Sequence, residues 1–127
     1  MPTIEIEGFG TCEAAAGTRL VRAVEACGVD VSHRCGGHAR CTTCRVEFLA
    51  GEPQRITRAE VAKLREKGLL GSVRLSCQCL VEGDVRIKVL MPVSSQPWDE
   101  PGPPPEEGLT PEPEWLDLAD ALSDAPA

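Results

Sequence analysis

The sequence predicts an α+β fold in which a mixed sheet of four or five strands packs across one main helix, a roll of the ubiquitin-like type. Three observations lead there. Short stretches alternating apolar and charged residues, Thr3–Glu7 and Val85–Val89, stand near the two ends of residues 1–91. One helical stretch between them carries a continuous apolar face. The elements then follow in the order hairpin, helix, loop, strand, short helix, strand pair, which suits a sheet packed across one helix.

Taken in order, Thr3-Ile4-Glu5-Ile6-Glu7 has the period of a half-buried strand, and Gly8-Phe9-Gly10 supplies a turn. Thr11 to Ala15 can pair back as the second strand. Gly17-Thr18 opens the main helix with Thr18 as N-cap; Leu20, Val21, Val24 and Cys27 share one face, Arg19, Arg22 and Glu25 point elsewhere, and Gly28 stops it. Arg45-Val46-Glu47-Phe48-Leu49 reads as a strand broken by Gly51-Glu52-Pro53. Thr57 with Glu60 forms a capping box for a short helix whose inner stripe is Val61 and Leu64. Val73 to Leu80 is expected to be extended, and Val85 to Val89 is the last strand. The expected core is Ile4, Ile6, Leu20, Val21, Val24, Val46, Phe48, Leu75, Val85, Ile87 and Val89.

Charge divides the 127-residue chain in two. The overall charge is −7, yet all 13 Lys and Arg lie within residues 1–91, which are about +2, whereas residues 92–127 are −9 and hold nine of the 11 prolines. The expected domains are therefore 1–91, compact, and 92–127, an acidic proline-rich tail that is largely disordered. Its end, Glu114 to Leu122, places Trp115, Leu118 and Leu122 on one side of a short acidic helix, read either as a frayed, solvated C-terminus or as a docking peptide for a partner or for the chain's own basic face. The negative balance argues against nucleic acid. No apolar run reaches the roughly 18 residues that span a bilayer. Met1 to Glu7 lacks the pattern of a secretory signal.

The seven cysteines locate the chemistry. Cys35, Cys41 and Cys44 fall within Cys35-Gly36-Gly37-His38-Ala39-Arg40-Cys41-Thr42-Thr43-Cys44, and Cys77 follows in Leu75-Ser76-Cys77-Gln78. Cys-x5-Cys-x2-Cys with a distant fourth thiol suits a [2Fe–2S] cluster, in which each iron takes two thiolates. Gly36 and Gly37 let backbone N–H groups turn toward the sulfurs, and Ala39, Thr42 and Thr43 keep the approach open. A cluster joining this loop to Cys77 would also stabilise a modest core. A zinc-stabilised adaptor built on Cys41, Cys44, Cys77 and Cys79 is the main rival, but it leaves Cys35 and its glycines unexplained. Cys12, Cys27 and Cys79 read as small buried hydrophobes. His33 and His38 read as solvent-facing loop residues, because a Rieske-type site needs two histidines on one iron.

The loop and Leu75-Ser76-Cys77-Gln78 resemble the plant- and vertebrate-type [2Fe–2S] ferredoxins, and the five-residue gap resembles the adrenodoxin-like branch and its bacterial members. The similarity covers about residues 3–91. It implies a β-grasp fold, one-electron transfer and one [2Fe–2S] cluster ligated by Cys35, Cys41, Cys44 and Cys77. The sequence shows no Ser/His/Asp or paired-carboxylate constellation outside that site, so a soluble carrier that is not an enzyme is expected, and an odd count of seven cysteines suits a reducing cytoplasm. The resemblance also implies redox-protein partners, a reductase and an electron acceptor. A monomer is expected, with neither nucleic acid nor membrane as partner. The chain departs from that branch after the loop. There the adrenodoxin-like proteins carry an acidic helix, and this sequence has Arg55, Arg58, Lys63, Arg65 and Lys67 against Glu60 and Glu66. Docking is expected on this basic helix and on the rim carrying Arg34, Arg40 and Arg45, cations that should favour the reduced cluster. A redox-sensing module, in which cluster loss changes what the tail binds, is the alternative function.

Overall fold

The computed structural model describes residues 1–33, 42–91, 102, 108–109 and 112–123. Strand β1 (Thr3–Ile6) sends Ile4 and Ile6 inward and Glu5 outward, as alternation requires. The turn through Gly8 and Gly10, both at positive φ, returns the chain as β2 (Gly10–Glu13), antiparallel to β1. Helix α1 (Leu20–Ala26) follows and buries Leu20, Val21, Ala23 and Val24. Thr18 does not cap it. Its hydroxyl donates to Ala15 O at 2.6 Å and closes the preceding turn, so the N-cap falls on Arg19. Gly28, at φ 93°, ends the helix as its composition predicts.

Strand β3 (Arg45–Ala50) pairs with both β5 (Arg74–Leu75) and β6 (Val85–Val89). β6 also lies parallel to β1, so the five-stranded sheet runs β2-β1-β6-β3-β5 and is mixed. The expected α+β fold is the observed one. Between β3 and β6 the register shifts near Phe48 and Ala50, and Gly51 follows at φ 77°. A methyl group at Gly51 would run into the Asp84 carbonyl, so this crossing admits only glycine. Ten of the eleven expected core residues are buried; Phe48, beside the bulge, packs against the core at its edge.

Outside the sheet, β4 (Arg55–Thr57) leads into α2 (Arg58–Glu66), which buries Glu60, Val61 and Leu64. β4 pairs antiparallel with β7 (Trp115–Asp117), and β7 runs into α3 (Leu118–Ser123). Sequence periodicity does not register either strand, since each is three residues long. The boundary expected at residues 91–92 falls at the edge of the described residues, and most of the stretch expected to be disordered lies outside them.

Candidate metal centre

Two of the four expected ligands, Cys44 and Cys77, lie among the described residues, and two, Cys35 and Cys41, lie outside them together with His38, Arg34 and Arg40. Cys44 stands at the entry of β3, and Cys77 in a 3₁₀ turn, Ser76–Gln78, directly after β5. That turn interrupts the extended course expected for Val73 to Leu80, which holds at Arg74–Leu75. Pairing of Arg45 with Leu75 brings the two cysteines to neighbouring strand ends. The junction is closed by Ser76, whose backbone N and hydroxyl both donate to Cys44 O, at 3.2 and 2.7 Å. Both cysteines are buried thiols with no measurable exposure.

The local turns hold these sulfurs in place. Arg45 Nε donates to Thr42 O at 2.8 Å, its Nη2 bonds the Thr42 hydroxyl, and its backbone N returns to Thr42 O at 3.3 Å. Thr42–Arg45 is thus a locked turn presenting Cys44. On the other side, Gln78 Nε2 donates to Cys77 Sγ at 3.8 Å, while Gln78 Oε1 accepts from the Thr57 hydroxyl at 3.0 Å. Arg19, fully buried, donates from Nε to Cys77 O at 2.6 Å. Helical periodicity places Arg19 off the apolar face of α1 and misses this role, because its acceptor is 58 residues away.

Cys79 is buried, and burial pushes its thiol well above the usual range, with Glu60 adding to the effect. It stays protonated and packs as the small hydrophobe expected of it. Cys12 and Cys27 depart from expectation: they form a disulfide, Cα–Cα 6.0 Å, between β2 and the end of α1. The tight β1–β2 turn brings the hairpin under the C-terminus of the helix, and neither cysteine is deeply buried. His33 is buried rather than solvent-facing, with Nε2 at 3.0 Å from Glu25 Oε2. The described residues fit a [2Fe–2S] cluster at this junction: two buried sulfurs on adjacent strand ends, an amide donor aimed at one of them, and a buried guanidinium behind it.

Comparison with known proteins agrees in kind. Residues 4–82 match the family described as the 2Fe-2S iron-sulfur cluster binding domain. A 2Fe-2S ferredoxin of Haemophilus influenzae is 36% identical over 72 residues, covering 54% of this chain and 64% of that protein. A component of the Na(+)-translocating NADH-quinone reductase of Methylococcus capsulatus is 32% identical over 84 residues, 66% of this chain. The chain spans only 20% of the length of that relative. In structure, the ISC-like [2Fe-2S] ferredoxin FdxB of Pseudomonas putida superposes with a TM-score of 0.59 at 27% identity, over 71% of this chain and 93% of that one.

Proposed function

Because this chain belongs to the 2Fe-2S iron-sulfur cluster binding domain family, we propose that it is a one-electron carrier that shuttles between a reductase and an electron-acceptor protein. It takes one [2Fe–2S] cluster. We assign the ligands as Cys35, Cys41, Cys44 and Cys77. The observation that supports the assignment is the Cys44–Ser76 junction, which brings two buried cysteines to adjoining strand ends within the matched region.

When bound, such a cluster accepts and returns one electron. The protein's own residues do the rest. Ser76 and Arg45 fix the strand ends that present Cys44 and Cys77. Gln78 offers an N–H to Cys77 Sγ, and Arg19 places a positive charge behind the same residue. With four thiolates as outer ligands no coordination position stays open to a substrate, so the chain works as a carrier and not as an enzyme. Among the described residues no helix is long and apolar enough to cross a membrane. We place the protein in the cytoplasm, where thiolate ligands stay reduced and where the Cys12–Cys27 link would meet the same reducing pool, and divide it into a cluster domain, 1–91, and a tail, 92–127.

Electron paramagnetic resonance of the dithionite-reduced protein, with iron and acid-labile sulfide counted, tests this reading. The expected result is the signal of one reduced [2Fe–2S] centre with two irons and two sulfides per chain. A colourless protein holding a single zinc would overturn it. Serine substitution of each assigned cysteine should alter or abolish the signal, whereas Cys79→Ser should leave it unchanged.

A further inference from the structure

The C-terminal segment lies beyond the matched family region, yet two routes of contact lead from it to Cys77. The first runs through Arg19. Its Nη1 donates to Gly108 O at 3.1 Å and its Nε to Cys77 O at 2.6 Å, so one buried guanidinium joins the segment to the cysteine. The second runs through β4. Trp115 of β7 is the register partner of Thr57, whose hydroxyl donates to Gln78 Oε1, and Gln78 Nε2 donates to Cys77 Sγ. Thr57 and Gln78 are fully buried. Among the described residues β7 is the only ladder partner of β4.

Further bonds seat the segment. Arg58 N donates to Glu114 O at 2.9 Å and Leu118 N to Gln54 O at 2.8 Å, so the ladder is extended at both ends. Arg55 lies 4.1 Å over the Trp115 ring, and Arg58 Nε meets Glu114 Oε2 at 2.9 Å. Leu118 and Ala121 are buried against the domain.

Each route acts on Cys77 in a definite sense. A glutamine amide can turn either end toward a sulfur. With Thr57 donating to its oxygen, Gln78 must present its NH₂. A donor on a cluster sulfur favours the more negative, reduced state. A guanidinium keeps its charge even when buried, and placed behind the ligand's carbonyl it acts in the same direction.

We propose that Gly108 and residues 114–118 brace Cys77, holding Gln78 and Arg19 where they favour reduction of the cluster and slow its loss. Arg19 and Thr57 are positioning residues in this scheme. The inference rests on Cys77 being a ligand, and the test separates the two.

In the full-length protein, Leu118→Asp puts a charge into a buried seat and should release β7; amide exchange at Arg55–Thr57 reports the release. The expected result is a lower midpoint potential and cluster loss to a chelator about tenfold faster, the size of one hydrogen bond to a charged group. Arg19→Gln should shift the potential the same way, and Arg19→Lys, which keeps the charge, should restore most of it. If β4 exchanges freely while potential and cluster loss stay at wild type, the brace is wrong. Should β4 remain protected in Leu118→Asp, Thr57→Val decides: it removes the hydroxyl that orients Gln78 and that also caps α2, and an unchanged potential overturns the proposal. Cys77→Ala completes the set. A wild-type resonance spectrum from that variant would remove the ligand assignment and the brace with it. Cluster lost there, with the other variants at wild-type potential, would remove the brace alone.

Discussion

Glu60 and Arg74 face each other in a space that admits almost no water. Glu60 has no exposure and Arg74 3%. Arg74 Nε and Nη2 meet the two Glu60 oxygens at 2.8 and 3.2 Å, and Leu75 N adds a third bond to that carboxylate at 2.8 Å. The remaining Arg74 donors reach Glu52 Oε2, Pro53 O and Arg55 O, so all five are used. Burial pushes the Glu60 carboxyl up, against the pull of Arg74. The pair ties α2 to β5, the strand that delivers Cys77. Glu60→Gln leaves a buried cation half-paired and should cost about 3–5 kcal/mol in urea unfolding; a loss below about 1 kcal/mol would refute this role. The capping box read from Thr57 and Glu60 was half legible. Glu60 N does bond the Thr57 hydroxyl at 3.1 Å, but the Glu60 side chain goes to Arg74, because a buried guanidinium 14 residues on offers a stronger partner than a backbone amide. Arg19 was hidden for the same reason: helical periodicity sorts residues by face and carries no information about acceptors remote in sequence.

Among the elements, strands with period-two alternation were legible and short ones were not. β1, β3 and β6 each carry enough residues to show which face is apolar. β4 and β7 are made by each other's presence, and a three-residue ladder leaves no pattern. The turn at Ser76–Gln78 escaped because Ser-Cys-Gln has no local breaker; its shape comes from the bonds to Cys44 O. The hairpin and α1 are tied by Cys12–Cys27 across a separation of 15 residues. A cross-link of that span removes about 3 kcal/mol of unfolded-chain freedom. Cys27→Ser should therefore lower stability by roughly that amount under oxidising conditions and by much less in a thiol reductant. Equal stability of both proteins without reductant would mean that the link contributes nothing.

For the whole molecule, charge and topology act together. The +2 of residues 1–91 and the −9 of residues 92–127 meet where the segment lies on β4 and α2, with Arg58–Glu114 as one exposed contact. An exposed pair of this kind contributes at most about 1 kcal/mol; the seat depends more on the ladder and on buried Leu118 and Ala121. The sequence foresaw a basic face and an acidic end, and it left open whether that end is solvated or docks on the chain itself or on another protein. In the structure it lies on the chain itself. Because the ladder is satisfied within one chain, sedimentation equilibrium should return a monomer, with no dimer formed by exchange of the C-terminal segment between copies; a dimer that dissociates in Leu118→Asp would contradict this.

The parallel pairing of β1 with β6 sets a condition on how the protein is made. Ile4 waits for Val85, and Thr3 N waits for the Asp84 carboxylate at 2.8 Å. The first strand of the sheet to leave the ribosome occupies an inner place, and its neighbour there is the last of the five to be translated. Until then β1 and β2 form a lone hairpin, marginal in water. Cys44 and Cys77 reach their common junction only once β5 has emerged and paired with β3. With Cys44 and Cys77 as the proposed ligands, the site is complete only near the end of synthesis, and those two thiols must stay reduced until the sheet closes.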